Sequence, residues 1–137
     1  MNVNTVYRAR HAMGRRVRGT ALVANDGFSA RYDLDRIAGV FSRPTHKLAG
    51  QSYVGRILVL DTAKGGVASA WMIHEMQSRG MAPLAFVFNS VNPILAQGAA
   101  LGAVPMLAGF VADITAAIPN GAELEIDPQL GIVTVLG

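Results

Sequence analysis

The sequence has 137 residues, 51 % of them hydrophobic, enough for one domain spanning residues 1–137 with a core of its own and too few for two of ordinary size. It contains no cysteine, so disulfides, thiolate nucleophiles and thiolate-held zinc or iron–sulfur centres cannot be built from this chain alone. All twelve Lys and Arg lie in residues 1–79 beside five acids, whereas residues 80–137 hold four acids and no base. A basic half of this kind favours a small anionic ligand or an acidic partner surface.

From the N-terminus, Arg8, Arg10, Arg15, Arg16 and Arg18 occur without an acid, as in a transit peptide. However, "RRVRGTALV" alternates charged with small or apolar residues, so the spacing predicts a half-buried strand over Arg16 to Ala24, arginines outward, closed by the turn signal "NDG". Without a targeting segment, and without cysteine, a cytoplasmic location is expected. The segments "FSARYDLDRIAGVFSR" and "PTHKLAGQSYVG" are polar and punctuated by glycine, with one short strand expected near Gly39 to Ser42; long irregular stretches often carry function. Asp33 and Asp35 would share a strand face, and flanked by Arg31 and Arg36 they read as surface acids rather than as an acid–base pair.

Arg56 to Leu60 is a short continuous apolar run, as buried strands are. Val67 to Arg79 sets Val67, Ala70, Ile73 and Met76 on one helical face, with Gly80 as the stop. "APLAFVFN" repeats the buried-strand signature, and Asn92 before Pro93 starts a second helix over "PILAQGAAL", since Asn caps free amides and Pro tolerates the first helical position. "VPMLAG" is a third short strand. The uncharged stretch Gly80 to Ala112 is broken by Asn89, Asn92, Pro93, Gln97 and Pro105 before it reaches spanning length, which makes it core and not membrane. The tail "GAELEIDPQLGIVTVL" alternates on both sides of "DPQLG" and predicts a hairpin. The expected fold is therefore α/β: a central parallel βαβαβ unit with right-handed crossovers and additional antiparallel strands, layered β/β/α.

Between the first buried strand and its helix, "TAKGGVAS" presents backbone N–H groups at the positive end of the helix dipole, and Gly65 and Gly66 let an anion approach them. Lys64 adds a point charge, and Thr62 and Ser69 place hydroxyls near the same mouth. The spacing is neither a Walker loop nor GxGxxG. Alone, it is equally a tight turn with Ser69 as helix cap.

Taken in order, "RGTALV", "HKLAGQSYVGRILVL", "KGGVASAW", "RGMAPLAFVF" and "NPILAQGAALGAVPML" resemble the small, swivelling-domain subunit of aconitase X, over about Gly14 to Leu136. The resemblance implies a swivelling β/β/α fold and a cysteine-bearing large dehydratase subunit as partner. That subunit would hold the iron–sulfur cluster, with no cofactor bound by this chain, and the pair would eliminate water from a hydroxy acid. Relatives of this kind act on a phosphorylated mevalonate in archaea and on cis-3-hydroxy-L-proline in bacteria. Where the family has a proton-accepting serine at the turn, this sequence has Gly66, so Ser69 one helical turn on, or Thr62 at the strand end, would supply the hydroxyl. The family's "WGG" segment is replaced by "FSARYDLDR", in which Ser29 and Arg31 would line the pocket. That points to a different substrate branch, cis-3-hydroxy-L-proline or a related carboxylate.

The expected substrate-binding set is Lys64, Gly65, Gly66, Ser29, Arg31, His46 and Asn92. His46 matches the family's histidine, although its neighbours favour a loop-fixing hydrogen bond equally. His11 and His74 lack metal-ligand spacing and read as solvated. Trp71, Met72 and Met76 read as core or subunit-contact residues. The rival functions are a non-catalytic anion-binding or regulatory swivel domain and a basic nucleic-acid-binding domain. The latter is disfavoured because the arginines lack aromatic interleaving, so no nucleic-acid partner is expected.

Overall fold

A computed structural model describes residues 4–30, 32–63, 67–91 and 104–136. Its centre is set by β6 (Ile57–Ala63) and β7 (Ala85–Val91), paired in parallel from Ile57↔Ala85 to Ala63↔Val91. Ile57 to Leu60 and Ala85 to Phe88 are all buried, which is why these strands read as unbroken apolar runs. β8 (Met106–Ala108) extends the parallel set beyond β7, and the second half of β3 (Val17–Val23) extends it beyond β6.

Alternate residues of these strands feed two cores. Leu22, Leu58, Leu60, Phe86, Phe88 and Met106 face α1 (Val67–Ser78), whose Ile73 and Met76 close that side. On the other side Ala21, Ile57, Val59, Val87 and Leu107 meet Leu124 and Ile126 of β9 (Glu123–Asp127) and Val133 of β10 (Ile132–Val135). Ile114 of α2 (Ile114–Ala117) joins them there. β9 and β10 are the expected tail hairpin, and the expected β/β/α layering is observed.

Two bent strands join the layers. β3 pairs with β9 through Val17 to Thr20 and with β6 through Ala21 to Val23. At the opposite side β1 (Thr5–Arg8) pairs with β10, and β2 (His11–Met13) with β8. Between β1 and β2, Ala9 N–H donates to Gly131 O and Arg10 N–H to Gly109 O. In the sheet order β1-β10-β9-β3-β6-β7-β8-β2 the two end strands are consecutive in the chain, joined through Ala9 and Arg10. Gly14 ends β2 at φ +101°, where an added Cβ would stand 2.7 Å from Pro105 Cα.

Differences from the sequence reading are local. The strand expected over Arg56 to Leu60 runs on to Ala63, so Thr62 lies inside it. The short strand near Gly39 is β5 (Val40–Phe41), paired with β4 (Leu34–Asp35). β1, β2 and α2 are additional elements. The second helix, "PILAQGAAL", lies outside the described residues. Among the described residues no helix is long and apolar enough to cross a membrane.

Candidate functional site

β3, β6, β7 and β8 end at one edge, the carboxyl edge, where open parallel sheets present their ligand sites. Past β3 the chain keeps following β6: Asp61 N–H donates to Asp26 O at 2.9 Å, and Phe28 N–H to Thr62 O at 2.9 Å. Phe28 forms a parallel bridge with Ala63 and is buried against Phe86 and Phe88 at ring separations of 5.1 and 5.9 Å. This register sets Ser29 one residue past the bridge to Ala63, the last residue of β6. Beside it opens a cleft of about 400 Å³ lined by Asp26, Gly27, Phe28, Ser29, Tyr32, Asp33 and Arg43.

The cleft is framed by charge. Asp33 is 4 % exposed; its Oδ1 accepts from Arg43 Nε at 2.6 Å and its Oδ2 from Ser29 N–H at 2.9 Å. Asp33 is therefore not the surface acid read from the sequence: it is buried and paired with Arg43, ten residues on. Asp35 is exposed and caps its own turn, accepting from the amides of Ile37 and Ala38. Arg43 also donates to Thr45 Oγ1 at 2.8 Å and lies 3.6 Å from Asp26 Oδ1; its hydrogen bond to Asp33 raises its pKa further. Burial works to raise the pKa of Asp26, but amide donors from Lys47 and Gly27, with His46 and Arg43 nearby, outweigh it and hold Asp26 below the ordinary aspartate value. Asp26 is accordingly an anion at neutral pH.

His46 is buried beneath this frame. Its Nδ1 accepts from Leu48 N–H at 3.0 Å, so the ring proton is on Nε2, which donates to Gly27 O at 2.8 Å. The ring stacks on Phe41 with centroids 4.6 Å apart. Both nitrogens are engaged by backbone, and His46 meets the cleft through Gly27. Thr62 Oγ1 and Ser90 Oγ lie 3.0 Å apart across β6 and β7, on the α1 side. Ser29 Oγ accepts from Tyr32 N–H at 3.3 Å.

Of the other expected residues, Lys64, Gly65, Gly66, Arg31 and Asn92 lie outside the described residues, and so does the hydroxyl of Ser69, which belongs to the first turn of α1. Asp26, Asp33, Tyr32 and Arg43 were not anticipated at the site; the only signal was the "NDG" turn, which carried Asp26 there. On the opposite face of the same edge, Asn89 donates to Asp61 at 2.9 Å and to Asp113 at 2.8 Å and accepts from Ile114 N–H. This network caps α2, and the Asn89 and Thr115 donors lower the Asp113 pKa. Trp71 is 59 % exposed with its ring edge against His74, whereas Met76 is buried.

A sequence profile described as "Aconitase X swivel domain" matches residues 6–135. The chain belongs to the aconitase X swivel-domain family. The phosphomevalonate dehydratase small subunit of Thermococcus sibiricus is 30% identical over 128 residues, 93% of this chain and 96% of that one. The protein of the same name from Pyrococcus abyssi is 28% identical over 121 residues, 88% of this chain and 91% of that one. The crystal structure of Thermococcus kodakaraensis aconitase X in its holo-form superposes with a TM-score of 0.89 at 24% identity, over 97% of this chain and 99% of that one. The sequence has no cysteine, and among the described residues no group of three His, Asp or Glu could hold a metal ion.

Proposed function

We propose that this chain is the small subunit of an aconitase-X-type hydro-lyase, forming one wall of an active site completed by a cysteine-bearing large subunit that holds the iron–sulfur cluster. The observation that carries this reading is the match, along nearly the whole chain, to proteins named as small subunits of a dehydratase. The large subunit's cluster would supply the Lewis acid for the leaving hydroxyl. This chain binds and orients. In this reading the substrate-binding roles fall to the amides of residues 64–66 with Lys64 for the carboxylate, to Asn92 and Arg31, and to Ser29. A hydroxyl at the turn, Ser69 or Thr62, receives the proton, and His46 keeps Gly27 in place.

The substrate is a hydroxy acid, and we favour cis-3-hydroxy-L-proline or a related carboxylate. Among the described residues the cleft wall sets Asp26 and Asp33 against Arg43 alone, and the Arg43 guanidinium is engaged by both. Such a wall offers acceptors, which suit an ammonium or hydroxyl better than a phosphate. A second reading, phosphomevalonate, is favoured by the name that the relatives carry. The test is co-expression with a cysteine-bearing large subunit of the aconitase X family, followed by assay of water elimination from both compounds. The proposal expects turnover of cis-3-hydroxy-L-proline by the pair and by neither subunit alone. Turnover of phosphomevalonate instead selects the second reading, and activity of the large subunit without this chain refutes the subunit role.

A further inference from the structure

We infer that Asp33 and Arg43 are positioning residues, which clamp Ser29 at the mouth of the cleft and act on the ligand through its hydroxyl. The inference rests on the subunit reading for the ligand's identity but not for the clamp.

Ser29 is held twice by one residue. Its N–H donates to Asp33 Oδ2 at 2.9 Å, and its C=O accepts from Asp33 N–H at 3.0 Å. Asp33 is in turn fixed by Arg43, through the Nε bond to Oδ1 at 2.6 Å and through Arg43 N–H and Ser42 N–H, which both donate to Asp33 O. Asp33 is buried, and a buried carboxylate needs bonded oxygens and an ion-pair partner, which Ser29 N–H and Arg43 supply. Arginine is needed for its geometry as well as its charge. Nε serves Asp33, Nη1 serves Thr45 and Nη2 faces Asp26, three directions that a lysine ammonium on a flexible stem cannot hold at once. The Ser29 hydroxyl accepts from Tyr32 N–H, and its own proton has no acceptor among the described residues. Ser29 lines the cleft one residue beyond the Phe28–Ala63 bridge, so among the described residues this hydroxyl is a donor open to a ligand. A substrate oxygen is the partner that this geometry fits.

The experiment uses the full chain with Asp33→Asn, Arg43→Lys, Arg43→Met, Ser29→Ala and the double variant Ser29→Ala/Arg43→Met. Amide hydrogen exchange at Ser29 is read on the full chain, and kcat and KM on the co-expressed pair. Asp33→Asn and Arg43→Met are expected to accelerate Ser29 exchange by about tenfold or more, with Arg43→Lys between them and wild type. In turnover, Ser29→Ala and Arg43→Met each raise KM about tenfold, and the double variant is no worse than either alone because one acts through the other. Additive losses in the double variant overturn the inference, as does unchanged Ser29 exchange in Asp33→Asn and Arg43→Lys, the variants that best conserve the fold. If the wild-type pair turns over neither candidate substrate, the subunit reading fails, while the exchange data still decide the clamp.

Discussion

His46→Ala separates a histidine that holds the loop from one that works on substrate. In the structure the ring donates to Gly27 O and accepts from Leu48 N–H, at 2.8 and 3.0 Å. Each such bond contributes about 1 kcal/mol net, and stranding the two backbone groups away from water adds about 1–2 kcal/mol. Loss of the ring stacked on Phe41 at 4.6 Å adds about 0.5–1.5 kcal/mol. The sum, about 3.5–5.5 kcal/mol, is a large part of the roughly 5–15 kcal/mol that a domain has. At the average unfolding entropy per residue, it lowers Tm by about 12–19 °C in a chain of 137 residues. Thermal and urea denaturation of the full chain read this directly. His46→Asn keeps an acceptor near Nδ1 and His46→Gln a donor near Nε2, so each recovers about half of the loss. A His46→Ala chain within about 1 kcal/mol of wild type, yet inactive with its partner, would refute the reasoning and make the ring a substrate contact.

Tyr53→Phe is expected to stabilise the chain by about 1 kcal/mol, because the Tyr53 hydroxyl is buried without a hydrogen-bond partner among the described residues. Burial also raises the Tyr53 pKa, so the neutral phenol stabilises the fold below pH 10.0 and that stability is lost as pH rises above it; Tyr53→Phe flattens this alkaline loss in urea midpoints. Gly14→Ala costs about 2–4 kcal/mol in the same assay, from a positive φ and a Cβ pressed on Pro105, and a neutral result would show that β2 and β8 are not closed as described. On the acid side Asp26 and Asp113 both have lowered pKa values, so the stability they contribute is present above 3.8 and is lost as pH falls below it. Asp113→Asn should therefore flatten the loss of stability as pH falls below 3.8, and an unchanged slope would contradict the capping network.

The central elements were legible because their signals are local. Ile57 to Leu60 and Ala85 to Phe88 are unbroken apolar runs that only a doubly covered strand needs, and Gly80, at φ +69°, stops α1 where a glycine stop was expected. β1 and β2 were not, since Thr5 to Arg8 and His11 to Met13 are mostly exposed and owe their conformation to β10 and β8, more than ninety residues away in sequence. The described part of the site was less legible: the burial of Asp33 depends on Arg43, ten residues on, and His46 is held by Gly27, nineteen residues before it. Neighbouring charges in the sequence misdirected the reading of Asp33, because they give no sign of Arg43, which the fold brings to it.

The most direct test of the account is a crystal structure of the co-expressed pair with bound hydroxy acid. The account predicts the ligand at the carboxyl edge of β6, its carboxylate on the amides of residues 64–66 and an oxygen on the Ser29 hydroxyl, facing the large subunit. A ligand beyond hydrogen-bond reach of both would contradict it.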